Sequence, residues 1–168
     1  NVDNLFLFGS GSLSPYRNLG WKYNLKTKDN DSINLEPLFT KAKTLGLEQI
    51  NIEGACFVSG KLLFVNRGNK GYPHNHLIIT DEKFPNNDSS FQLSVIPFAA
   101  QKDPASFKGI SGLCHAKESD QLIMTVSTKD TKNSYEDGAI GKSYLHIINN
   151  ISTKIMDMAL GSKRVIDL

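Results

Sequence analysis

Cysteine is scarce in this chain, with Cys56 and Cys114 the two copies in 168 residues, and that is too few for a disulfide scaffold. Long apolar runs are lacking too, none approaching the roughly 18 to 20 residues that cross a bilayer as a helix. There is no basic tract: 19 lysines and arginines stand against 17 acidic residues and are scattered along the chain. A nucleic-acid surface needs concentrated positive charge, so nucleic acid is excluded as a partner. The opening NVDNLFLF has neither the charged lead nor the small cleavage residues of a signal peptide, and it reads as the interior of a structured region whose targeting segment is gone. A soluble protein without a membrane span is expected, cytoplasmic or periplasmic.

What is present is enough apolar material, 39% of residues, for one ordinary core. It is organised as a repeat. Ile52-Glu53-Gly54-Ala55-Cys56 matches Ile110-Ser111-Gly112-Leu113-Cys114, the glycines lying 58 residues apart, and KLLFVNRGN (61–69) matches QLIMTVSTK (121–129). A truncated copy opens the chain, because NLFLFGSGS (4–12) matches the same KLLFVNRGN. The thiols fall at matching places and are expected to be small core residues, unbonded, since packed sheets stand about 10 Å apart.

Each unit reads as short strands separated by Gly, Pro, Asn and Asp clusters. The second contributes EGACFV, LLFVN, NHLIIT and FQLSVIP, and the third SGLCHA, QLIMTVS, SYLHIIN and TKIMDMAL. The first contributes LFLFG, GWKYNLKT and DSINLE. Four antiparallel strands per repeat is the pattern of a propeller blade. The expected fold is all-β and propeller-like, with about three four-stranded blades, the first lacking its inner strand, over roughly 1–35, 50–97 and 109–160. LEPLFTKAKTLGL puts Leu35, Leu38, Phe39, Ala42 and Leu45 at helical spacing, so a short helix is expected near 35–46. Propellers close with about four to eight blades, so 1–168 reads as a partial propeller, completed by missing N-terminal blades or by a second chain.

The series FGSGS with Arg17 soon after, LEPLF, INIEGA, LLFVNRGN, SGL and KDTKNSYEDGAIGKS resembles, over nearly the whole chain, an uncharacterised bacterial β-propeller family, a domain of unknown function. The resemblance implies a propeller fold, further strands before the GSGS segment and no assigned activity. At Lys129 the chain departs from the acidic residue that often precedes Asp130 in that pattern, which weakens a metal role for the loop. A shorter stretch, IEGACFVSGKLLFV, is similar to the Glu-Gly strand of gluconolactonase-type and phytase-like propellers, where the glutamate holds a divalent metal in the hub; here that residue is Glu53.

A carboxylate at the head of an inner strand points toward a propeller channel, where hard cations take oxygen ligands. This makes Glu53 the candidate metal or substrate contact; tying two blades together is its structural alternative. Arg67 and Asn69 leave the following strand through Gly68, and a guanidinium held there suits a carboxylate or phosphate, or else a bridge between blades. Asp130, with Asn133, Glu136 and Asp137, offers oxygen ligands in a long loop, and calcium is the cofactor such ligands would take, although their spacing departs from the helix-loop-helix calcium pattern. His74 and His76 lack a third ligand at a telling distance. No serine, histidine and aspartate order defines a triad. The expected function is binding of a small-molecule ligand or partner at the channel mouth by Glu53, Arg67, Asn69 and Asp130. The alternative is a divalent-metal-dependent hydrolase of lactonase or phosphoesterase type.

Overall fold

The computed structural model describes residues 3–81, 83–84, 90–99, 107–129, 140–159 and 166. Three antiparallel sheets follow one another along the chain. The first holds β1 (Asn4–Phe8), β2 (Leu19–Asn24) and β3 (Asn30–Asn34). Helix α1 (Glu36–Thr44) leads to the second sheet, β4 (Ile52–Val58), β5 (Lys61–Asn66), β6 (His76–Thr80) and β7 (Leu93–Pro97). The third holds β8 (Lys108–Ala116), β9 (Gln121–Lys129) and β10 (Ile140–Asn149), and α2 (Ile151–Ala159) follows.

The repeated Ile-x-Gly element has a shared backbone geometry. Ile52 pairs with Asn66 and Gly54 with Val65, so Glu53 is an extra residue in β4. Ile110 pairs with Val126 and Gly112 with Thr125, so Ser111 is the extra residue at the same point of β8. Each is a β-bulge, which leaves one residue unpaired and re-aims its side chain. The β4–β5 hairpin turns through Ser59 and Gly60, both at positive φ (49° and 78°), as a tight two-residue connection demands.

Strand alternation sorts each unit into two faces. In β5, Leu62 and Phe64 face back toward the first sheet, in a core with Phe6, Phe8, Ile33 and, from α1, Leu38 and Phe39. Leu63 and Val65 face forward, in a second core with Ile110, Leu122 and Met124. The middle sheet is therefore buried on both sides, and each large side chain so covered contributes about 1.5 to 3 kcal/mol. The same alternation leaves the backward face of the first sheet and the forward face of the third in solvent. Leu5, Leu7, Leu19 and Trp21 are exposed at one end, and Leu145 and Ile147 at the other.

The four strands expected in the third unit are corrected by the structure: among the described residues the first and third sheets have three strands and the middle one has four. The run TKIMDMAL, read as the last strand of the third unit, lies through residue 159 in α2, and its Leu160 falls outside the described residues. The reason is the pair Ile151 and Ile155, spaced one helical turn apart and both fully buried in the forward core. Asp120 holds the start of this helix by accepting hydrogen bonds from the Ser152 N–H (3.1 Å) and Oγ (2.6 Å). Those bonds keep its carboxyl below the ordinary range.

The thiols are free, and their surroundings differ. Cys56, paired with Leu63, packs against the forward core, whereas Cys114, paired with Ile123, is exposed because among the described residues no sheet covers that face. Burial first, and the neighbouring Cys114 second, push the Cys56 thiol up to about 12. Alkylation proceeds through the thiolate. Iodoacetamide at pH 8 is expected to label Cys114 at least about 100-fold faster than Cys56, followed by peptide mass spectrometry. Equal rates would contradict the packing of β4 on β8.

Candidate functional site at the polar end of the sheets

Buried polar side chains gather where β4 begins and β5 ends. Asn66, fully buried, closes β5; its Oδ1 accepts the Asn51 N–H at 2.6 Å and its Nδ2 donates to the Gln49 carbonyl at 3.0 Å. An amide so enclosed is stable because both of its ends are partnered. The Asn51 carbonyl accepts the Arg67 N–H at 2.9 Å, and the Asn51 Nδ2 donates to the Glu53 Oε1 at 3.1 Å. The bulge thus holds Glu53 in solvent with one oxygen fixed by a neighbour. Asn69, also buried, donates to the Gln49 Oε1 at 2.9 Å, while its Oδ1 accepts the N–H groups of Gly71 (2.8 Å) and Tyr72 (2.9 Å).

Arg67 reaches the next unit. It is buried, and its guanidinium lies over Gly109, where a methyl group would come within 2.8 Å of Cζ; Nη2 stands 3.4 Å from the Ser127 hydroxyl. Asn75 crosses the same junction. Its Oδ1 accepts from the Gly68 N–H at 3.1 Å and the Ile110 N–H at 3.4 Å, and its Nδ2 donates to the Lys108 carbonyl at 2.8 Å. The preceding junction carries a smaller version, with the Ile52 N–H bonded to the Ser10 carbonyl (2.8 Å) and Arg17 donating to the Ser12 Oγ (3.0 Å).

The histidines do not join this network as a cluster. His76 opens β6, and burial, with His74 nearby, pulls its pKa down. The Tyr72 ring stacks on it at 6.1 Å, while His74 is exposed. On β8 the His115 Nδ1 donates to the Phe57 carbonyl of β4 at 3.0 Å, a third tie between the second and third units. Among the described residues no three His, Cys, Asp or Glu side chains are grouped as metal ligands.

The structure brings Glu53, Arg67 and Asn69 to one end of the middle sheet, linked through Gln49, Asn51 and Asn66. Asp130, with Asn133, Glu136 and Asp137, lies outside the described residues. The sequence reading missed Asn51, Asn66 and Asn75 because asparagine is the default loop residue. Their signal was position: an asparagine adjoining the apolar runs LLFVN and HLIIT is unusual, since strands deplete it.

A family model described as a family of unknown function (DUF6929) matches residues 1–165. No curated protein matches the chain, and no solved structure does.

Proposed function

The chain belongs to the DUF6929 family of unknown function, and we propose that it is a binding module built as part of a β-propeller, taking a small polar ligand at the end where Glu53, Arg67 and Asn69 meet. Support for the propeller comes from the two sheet junctions, which use the same faces in the same order, so that adding units continues one rotation. Support for binding comes from a single feature: the exposed Glu53 carboxylate is presented on a bulge and backed by a buried amide network. Bulges favour sites that need a side chain re-aimed. In this reading Glu53 touches the ligand and Arg67 and Asn69 frame it, while Asp130, next after β9 in the sequence and outside the described residues, is assigned to the same site.

The test is calorimetric titration of the chain with calcium chloride and, separately, with small phosphates and carboxylates. Glu53→Gln is expected to weaken binding at least about tenfold, or 1.4 kcal/mol, with thermal unfolding unchanged, because the side chain is exposed. Calcium binding that Glu53→Gln abolishes would favour the divalent-metal-dependent hydrolase instead. Equal binding by parent and variant, or a large loss of stability in Glu53→Gln, would return Glu53 to a structural role.

A further inference from the structure

β1 occupies the place in its unit that β5 and β9 occupy in theirs. β5 lies between β4 and β6, and β9 between β8 and β10, yet among the described residues β1 pairs only with β2. The phase of that pairing is fixed at both ends, since the Gly9 N–H bonds to the Leu19 carbonyl and the Leu25 N–H to the Asp3 carbonyl. Antiparallel alternation then turns the backbone groups of Asn4, Phe6 and Phe8 toward the open side. Along this edge runs a groove of about 490 Å³ whose walls include Phe6, Phe8, Ala55, Cys56 and Phe57. The Asn4 Oδ1, also in its lining, is buried and unpartnered.

The next junction shows what fits such a place. β8 pairs with β9 and at the same time lies on β4, so closely that a methyl on Gly54 would stand 2.7 Å from the Leu113 nitrogen. Shifted back by one unit, that relation lays a strand on the open edge of β1 and against β4 at Ala55, the counterpart of Leu113. We propose that the β1 edge and its groove form a strand-addition site. Its occupant is an extended segment of the Ile-x-Gly-x-Cys type, running antiparallel to β1. The backbone of the added strand bonds to the edge groups of Asn4, Phe6 and Phe8. Its glycine passes Ala55, and its apolar residues fill the groove between Phe6, Phe8 and Phe57. Main-chain pairing with side-chain pockets is a general mode of peptide recognition.

The experiment adds a synthetic peptide with the sequence of residues 51–59 to the whole chain and follows amide hydrogen exchange. The expected result is saturable protection of the Asn4, Phe6 and Phe8 amides, exchange slowing at least about tenfold by about 1 mM peptide. A Gly54→Val version of the peptide is expected to give none. Asn4→Pro in the chain removes one edge N–H from a position where edge strands tolerate proline, and it is expected to weaken binding at least about tenfold. Unchanged exchange with the parent peptide, or equal protection by the valine peptide, overturns the proposal. So would protection of the same amides without peptide in a chain that sediments as a dimer, since a second copy would then hold the edge.

Discussion

Gly54→Val is expected to prevent the second and third sheets from docking. A Cβ at this position would lie 2.7 Å from the Leu113 nitrogen, 2.9 Å from its Cβ and 3.2 Å from the Gly112 carbonyl carbon. The obstacle is mostly the backbone of β8, which cannot rotate aside as a side-chain tip does. Relief requires β8 to move off β4, opening the core of Leu63, Val65, Ile110 and Met124. Overpacking a tight site usually costs about 1 to 3 kcal/mol. With a branched side chain against backbone, the loss should exceed about 4 kcal/mol, a large part of the stability of an ordinary domain. The check is urea unfolding, or recovery of soluble protein if the variant does not fold.

Two controls separate crowding from other effects. Gly60 has positive φ and nothing within 4 Å of the added carbon, so Gly60→Ala tests backbone strain alone and is expected to cost about 1 kcal/mol. Gly112 occupies the place of Gly54 in the next unit, but its added carbon meets chiefly the Thr125 hydroxyl, at 2.7 Å, and that side chain can turn away. Gly112→Ala should therefore be much milder than Gly54→Ala. Equal costs for those two alanines, or a Gly54→Val chain within about 1 kcal/mol of the parent, would mean that β4 and β8 do not approach in this way.

The Ile-x-Gly repeat makes the order of units legible in the sequence, because apolar alternation and paired glycines are written locally. Its meaning was only half visible. A bulge is a register relation between two strands, and nothing within Ile52-Glu53-Gly54 states what Asn66 and Val65 will oppose. The strand reading of TKIMDMAL failed for a related reason: a window opening at Thr153 cuts Ile151 away from Ile155, and with it the helical spacing. Both cysteines were expected inside because they hold equivalent places in the repeat. They differ in whether another sheet lies on the forward face, a tertiary fact that repeat matching alone does not carry. The place of Glu53 near the head of a strand was legible. The amides that hold it and its neighbours were not, since a buried asparagine is distinguished by the backbone groups it meets.

Asn75 illustrates that point with the second large effect. Asn75→Leu keeps the γ-branched shape, with bulkier tips, and replaces the amide that joins the second and third units. The Gly68 N–H and the Lys108 carbonyl lose partners at 3.1 and 2.8 Å, and the Ile110 N–H loses a weaker one at 3.4 Å. Asn75 is buried, so water does not readily replace it. Each group left unsatisfied in such a place costs about 1 to 3 kcal/mol, which puts the whole change at about 3 to 6 kcal/mol. Asn75→Asp separates hydrogen bonding from packing. As a carboxylate it can accept from the Gly68 and Ile110 N–H groups, but it has no proton for the Lys108 carbonyl and sets two acceptors against each other. As a neutral acid it can accept and donate. Burial and the facing carbonyl raise its folded-state pKa above the unfolded value, so the variant's deficit relative to the parent should shrink as pH falls from 7 toward 5. Urea unfolding of parent, Asn75→Leu and Asn75→Asp at both pH values measures this directly. A pH-independent deficit for the aspartate, or a leucine variant as stable as the parent, would remove Asn75 from the junction.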